Sequence, residues 1–279
     1  GLRGWKRWLV VPPMPPPPIE KWGDYPQFRK TAANLAAQYA LTPGSEAAHY
    51  RAAEEVHECC FLLSQSFRCN ILSCGWSSAT YDAWWTSQSE WPGYQYYAKC
   101  VQLIGSNEPQ TRWLLKNPGH IEHLDLLFAV FPDARVIQTH RDPAKAVPSL
   151  VSLLMRMHPI VEEGRADQRG PIMLEREVAK WANAVRKCDA VRAAHPGRVL
   201  DIVHGDFHAD PMGVLEKIYA FIGMDITDEL RPLLQQRIAE KPELPRGTHS
   251  YSIADFGMSA EQAREPFGDY IKRFDLVGS

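Results

Sequence analysis

The chain has 279 residues, 45% of them hydrophobic, with 31 lysines and arginines against 33 aspartates and glutamates and a formal net charge of −2. That length suits one large α/β domain or two small ones. The near-neutral balance excludes a global field for nucleic acid or an anionic membrane, so any anion has to be held by a local site.

Residues 1–22 read as a Pro-rich extended segment ahead of a domain spanning 23–279. The run Pro12 to Pro18 has too few backbone donors for helix or sheet and is expected as surface chain. From Tyr25 to about Gln65 two packed helices are expected. The first holds "KTAANLAAQYA"; a break at Thr42-Pro43-Gly44-Ser45 precedes "EAAHYRAAEEVHECCFLLSQSF". Residues 80–105 are dense in aromatics. Trp84, Trp85, Trp91, Tyr94, Tyr96 and Tyr97 suit either ordinary core or an apolar acceptor pocket.

The centre predicts a strand at 112–116, "RWLLK", then an Asn117 cap with Pro118 at the first helical position, then a second strand at 135–139, "RVIQT". Strand, helix and strand in so short a span predict a βαβ crossover with parallel strands. A later unit repeats the grammar: a helix at 175–194, the strand "RVLDIV" (198–203), the loop "HGDFHAD" and a helix opened by Asp210-Pro211. The fold class is therefore α/β, a parallel sheet flanked by helices, with ligands expected at the carboxyl ends of the strands.

Lys116 and His120 end the first central strand; His140 and Arg141 end the second. Four such groups on one rim require an anion. A helix starting at Pro143 would put Pro148 in its second turn at a cost of about 3 kcal/mol. A start at Pro148 avoids this and places Ser149 in the first turn, where its hydroxyl and free amides would hold a phosphate with Arg141 as a fork. A surface pair of Arg141 with Asp142 is the competing reading. A histidine beside a strand-end lysine suits a general base with a charge stabiliser, whereas two solvated histidines would explain "HIEH" equally. His120 and His123 lack an evident third metal ligand.

The block "RWLLKNPGHIEHLDLLFAVFPDARVIQTHRDPAKAVPSLVSLL" (112–154) resembles the centre of bacterial-type sulfotransferases that use 3′-phosphoadenosine 5′-phosphosulfate. "RGTHSYSIADFGMSAEQAREPFGDYIKRF" (246–274) is similar to their closing segment, and the likeness covers about Ala53 to Phe274 with gaps. The resemblance implies a P-loop-like fold of three α/β/α layers and transfer of a sulfuryl group to a hydroxyl or amine of a small acceptor, without metal or nucleic acid. It implies that Arg141 and Ser149 hold the cofactor 3′-phosphate, that the loop around Arg246 and Gly247 closes over it, and that Lys116 and His120 lie near the transferred group. Glu58 stands where similar proteins often carry a glutamate, though a helix carboxylate paired with a basic residue explains it as well.

One departure is large. Family members begin with a strand and a Gly/Arg/Thr-rich loop that cradles the 5′-phosphosulfate, and this sequence, which starts at Gly1, contains no such loop. An alignment on the prolines puts Trp8-Leu9 where a Trp-Glu pair is common. The expectation is an N-terminally truncated sulfotransferase domain that keeps the 3′-phosphate half of the site. The alternative is a non-catalytic protein that only binds adenosine 3′,5′-bisphosphate. A kinase is disfavoured, since no GxxxxGK[ST] loop is present. Six cysteines without paired CxxC spacing and no apolar run of roughly 18 residues make a cytoplasmic setting the expectation.

Overall fold

A computed structural model describes residues 2–240 and 250–279. The chain divides into two compact units, Gly1–Pro132 with Arg156–Gly164, and Asp133–Met155 with Arg165–Ser279.

The first unit contains β1 (Leu2–Gly4), α1 (Pro26–Leu41), α2 (Cys60–Ser64), α3 (Ala79–Thr86), α4 (Trp91–Ile104), β2 (Arg112–Leu114) and α5 (Leu124–Val130). β1 and β2 run parallel, with Leu2 opposite Arg112 and Gly4 opposite Leu114. Part of the N-terminal stretch ahead of the prolines, Trp5, Trp8 and Leu9, is therefore core. Trp5 is fully buried, Trp8 is 2% exposed, and Trp8 packs edge-on against Trp22, Tyr25 and Phe28. Burying one tryptophan of 150–250 Å² stabilises by about 5 kcal/mol at roughly 25 cal/mol per Å². Pro12 to Pro18 themselves carry no regular structure and are exposed or half-buried.

The first expected helix is present as α1. The second is not: after a single turn at Ser45–Ala48 the chain stays irregular until Cys60. Its backbone has other partners. His57 N donates to Trp5 O at 2.8 Å, and Cys59 N donates to Lys116 O at 2.8 Å. Extended bonding to the chain beyond both strands thus wins over the helix propensity of "AAEEVHE". Gly4 lacks a Cβ where one would run into Val56, which lets this segment lie against β1. The aromatic block is split: Trp85, Tyr94 and Tyr97 are buried, whereas Trp84, Trp91 and Tyr96 are exposed.

The second unit contains β3 (Val136–His140), the start of α6 (Pro143–Val161), α7 (Ala166–Ala194), β4 (Val199–Val203), α8 (Pro211–Ile222) and α9 (Gly268–Phe274). β3 and β4 are parallel along their whole length, Val136 opposite Val199 and His140 opposite Val203. Both central strands stand in parallel pairs, β2 with β1 and β3 with β4.

The start of α6 is also corrected. The helix begins at Pro143, so Pro148 and Ser149 lie in its second turn. Asp142 is the reason. Its Oδ1 accepts from Ala144 N at 2.9 Å, its carbonyl accepts from Lys145 N and Ala146 N, and Pro143 occupies the position that needs no N–H. Arg264 grips the same carboxylate with two nitrogens, at 3.1 and 2.7 Å, and Gly278 N donates to it at 3.1 Å. The carbonyl of Ala144 loses its usual donor at Pro148, and the anchored cap outweighs that loss. Asp142→Asn, which keeps the shape and removes the charge, should destabilise the protein by about 2 kcal/mol in denaturant titration. A loss below about 0.5 kcal/mol would contradict this account of the helix start.

Candidate active site

In the first unit the functional groups lie where the backbone after β2 meets the segment after Trp5. The bond from Cys59 N to Lys116 O aligns the two stretches, and the Lys116 ammonium forms an ion pair with the Glu58 carboxylate. The lysine side chain is 60% exposed and the glutamate 24%, so the pair stands at the surface, open to a ligand.

Asn117 caps the following 3-10 turn, Pro118–His123, as the sequence suggests, with Oδ1 accepting from Gly119 N at 3.0 Å. His120 is carried inward by that turn. Its Nδ1 lies 2.8 Å from the Tyr94 hydroxyl and its Nε2 lies 3.8 Å from Cys59 Sγ, while the Tyr97 hydroxyl donates to the same sulfur at 3.1 Å. Burial, then the charge of His123, pushes His120 down to about 3; burial pushes the Cys59 thiol up to about 11. Both nitrogens of a neutral imidazole are thus turned toward interior partners.

In the second unit β3 delivers His140 and Arg141 to opposite surroundings. His140 does not stand on the rim. It is fully buried, bonded to Asp201 Oδ1 at 2.7 Å and the Tyr270 hydroxyl at 3.0 Å, and stacked on Phe274 with centroids 3.8 Å apart. Burial lowers its proton affinity against the opposing pull of Asp201.

Arg141 is half-buried, and its Nε is shielded from solvent with no hydrogen-bond partner among the described residues. It makes no ion pair with Asp142, whose carboxylate belongs to Arg264. Its charge, after burial, lowers the proton affinity of His204, the residue that follows β4; His208 and Lys145 add to the effect. The Ser149 hydroxyl makes no hydrogen bond among the described residues, and the Ala144 amide at the start of α6 is already taken by Asp142. Any anion here meets side chains rather than a bare helix terminus. Arg246 and Gly247 lie outside the described residues.

Sequence reasoning set Glu58 behind His120 because a glutamate in a helical-looking run ordinarily pairs with a neighbour on its own helix. The ion pair reaches instead across 58 residues. No local signal shows this, since it depends on the long-range bond at Cys59.

Three histidines whose proton affinity is lowered by burial give the fold a pH dependence. His57 is pushed down to about 4 and His120 to about 3, and His140 is lowered as well. The unfolded chain binds protons at these groups below about pH 6.5, where the folded chain does not, so stability rises with pH through this window. The thermal midpoint should fall steadily between pH 6.5 and pH 4, and His120→Asn should make that fall shallower. An unchanged slope in the variant would contradict the assignment.

A parallel α/β scaffold with a cation at the carboxyl end of a strand in each unit puts charge where ligands of such folds bind. The profile of the Sulfotransferase family matches residues 6–228, and the chain belongs to that family. It is 27% identical over 168 residues to omega-hydroxy-beta-dihydromenaquinone-9 sulfotransferase Stf3 of Mycobacterium bovis (strain ATCC BAA-935 / AF2122/97), and equally to Stf3 of Mycobacterium tuberculosis (strain CDC 1551 / Oshkosh). These alignments cover 58% of this chain and 40% of each relative, so the chain spans well under half the length of the curated proteins it matches.

Sulfotransferase STF1 from Mycobacterium tuberculosis H37Rv, a crystal structure, superposes with a TM-score of 0.80 at 32% identity, over 96% of this chain and 70% of that one. Sulfotransferase STF9 from Mycobacterium avium superposes at 0.79 with 24% identity, over 98% and 70%, a likeness of fold alone. The α/β sulfotransferase fold expected from the sequence is thus the one observed.

Proposed function

We propose that the chain is the sulfuryl-transferring part of a sulfotransferase that moves the group from 3′-phosphoadenosine 5′-phosphosulfate to a hydroxyl of a small acceptor. The observation that carries this reading is the Glu58–Lys116 pair at the end of β2, within the residues matched by the family. Glu58 accepts the proton of the acceptor hydroxyl. The acceptor oxygen attacks sulfur in line, the bond from sulfur to the phosphate oxygen breaks, and adenosine 3′,5′-bisphosphate leaves. Lys116, close in charge to Glu58, stabilises the bridging oxygen as it takes up negative charge.

His120 acts as a positioning residue, fixing Cys59 and Tyr94 behind the pair, because its nitrogens are engaged away from the surface. In the second unit Arg141 and Ser149 hold the 3′-phosphate, and the orphaned Arg141 Nε supports this. The acceptor named for Stf3, a hydroxylated menaquinone derivative, makes a ring-bearing apolar alcohol a reasonable first choice. Six buried cysteines, none in a disulfide, suit a cytoplasmic setting, and no described helix is long and apolar enough to cross a membrane.

The test combines calorimetric titration with adenosine 3′,5′-bisphosphate and transfer of labelled sulfate to hydroxylated acceptors. Nucleotide binding with sulfated product supports the reading. Binding without product on any acceptor would favour the non-catalytic alternative, and neither would remove both.

A further inference from the structure

The first unit gathers more positive charge around Glu58 than it neutralises. Arg7 follows the buried Trp5 by two residues and lays its guanidinium on the Phe61 ring, 4.1 Å from the centroid. His57 packs against the same ring at 5.4 Å, and His49 stands edge-on to His57 at 5.8 Å. Arg51 is anchored through its backbone, its N–H donating to the Tyr39 hydroxyl at 2.6 Å and its carbonyl accepting from it at 3.0 Å; its guanidinium covers that ring.

The two arginines are electrostatic neighbours. After burial, the charge of Arg51 is the largest influence lowering the proton affinity of Arg7. Burial lowers the proton affinity of His49, which also feels the charges of Glu58, Arg51, Lys116 and Arg7. Among the described residues neither Arg7 nor Arg51 makes an ion pair, and Arg51 Nε and His57 Nε2 are buried with no hydrogen-bond partner. The nearby Glu54 and Glu55 are exposed, and their charges act on Lys6. Of the three permanent cations around His49, only Lys116 is paired with Glu58, and Arg7 and Arg51 have no carboxylate partner among the described residues. Half-buried guanidiniums without acceptors are costly in the free protein, and a bound oxyanion would repair that cost with paired, charge-assisted bonds.

We propose that Arg7 and Arg51, flanked by His49, form an oxyanion subsite beside Glu58 that receives a carboxylate, phosphate or sulfate group of a substrate. Only the identity of that substrate rests on the sulfotransferase reading: the group is either an acidic substituent of the acceptor or the sulfate end of the donor. Each guanidinium lies over an aromatic ring, Arg7 over Phe61 and Arg51 over Tyr39, which limits its freedom before an oxyanion arrives.

The test is titration of inorganic phosphate into the chain saturated with adenosine 3′,5′-bisphosphate, or into the chain alone should the nucleotide not bind. Arg51→Gln should weaken phosphate about tenfold, Arg51→Lys less, and Arg7→Gln with Arg51→Gln together should abolish binding. In Arg51→Gln the nucleotide affinity should stay unchanged and the thermal midpoint of the free protein should be unchanged or slightly raised. Because Arg7 also supports Phe61, the single Arg51 variants decide the matter if the double variant fails to fold.

Equal phosphate affinity in the folded Arg51→Gln protein, or no phosphate binding by the unaltered chain, would overturn the proposal. Displacement of phosphate by 3′-phosphoadenosine 5′-phosphosulfate assigns the subsite to the donor sulfate, and retention assigns it to the acceptor; both support the site. Failure of nucleotide binding with intact phosphate binding removes the sulfotransferase reading and leaves the subsite standing.

Discussion

Arg141→Ala is expected to weaken adenosine 3′,5′-bisphosphate about 100-fold while leaving the thermal midpoint of the nucleotide-free protein unchanged or slightly raised. The size follows from the chemistry of the fork: two charge-assisted bonds to a phosphate contribute roughly 1.5–3 kcal/mol together, and every 1.4 kcal/mol is tenfold in affinity. The sign of the stability effect follows from the surroundings. Arg141 Nε is buried without a partner, and the guanidinium repels any proton on His204, so the free protein gains nothing from this side chain. A residue that only supported the fold would show the reverse pattern, a lower midpoint with unchanged nucleotide affinity, and that outcome would remove the phosphate assignment. Ser149→Ala should cost about tenfold, since its hydroxyl sits in the second turn of α6, where the helix amides already bond within the helix.

The contrast between Arg141 and Ser149 shows what was legible in the sequence. Arg141 could be placed at a strand end because "RVIQT" is β-branched and short, and the structure puts β3 at Val136–His140. The helix start could not. Counting prolines weighed Pro148 at about 3 kcal/mol against nothing, because the bonds that anchor Asp142 come from Arg264 and Gly278, more than 100 residues away. The N-terminus misled for the same reason: "GWKRWL" looks like a leader to the prolines, yet β1 finds its parallel partner at Arg112–Leu114. Capping signals written within three residues, Asn117 on Gly119 and Asp210 on Gly213, were readable and are present. Glu58 and His120 fall on the long-range side of that divide. Their identities were visible, but which one faces outward was decided by the bond between Cys59 and Lys116.

Glu58→Gln is expected to lower kcat by about 10²- to 10⁴-fold, with the KM for the donor changed by no more than about threefold, because it removes a proton acceptor and little else. The amide keeps the length of the side chain and can still accept a hydrogen bond from Lys116, so the local packing survives. His120 supplies the comparison that makes the result specific. Its imidazole is held neutral down to about pH 3 and occupied by Tyr94 and Cys59, so it does not titrate in the working range. His120→Asn should therefore lower the thermal midpoint more than it lowers kcat, by leaving the buried Tyr94 hydroxyl without its partner. Lys116→Ala should fall between the two, losing stabilisation of the leaving oxygen while freeing Glu58. If Glu58→Gln kept kcat within about threefold and His120→Asn lost a hundredfold at an unchanged midpoint, the base would be the histidine. The inward ring seen here would then have to swing out past Tyr94 for each turnover. That motion would break the His120 contact with the buried Tyr94 hydroxyl in every cycle, a cost the surface carboxylate avoids.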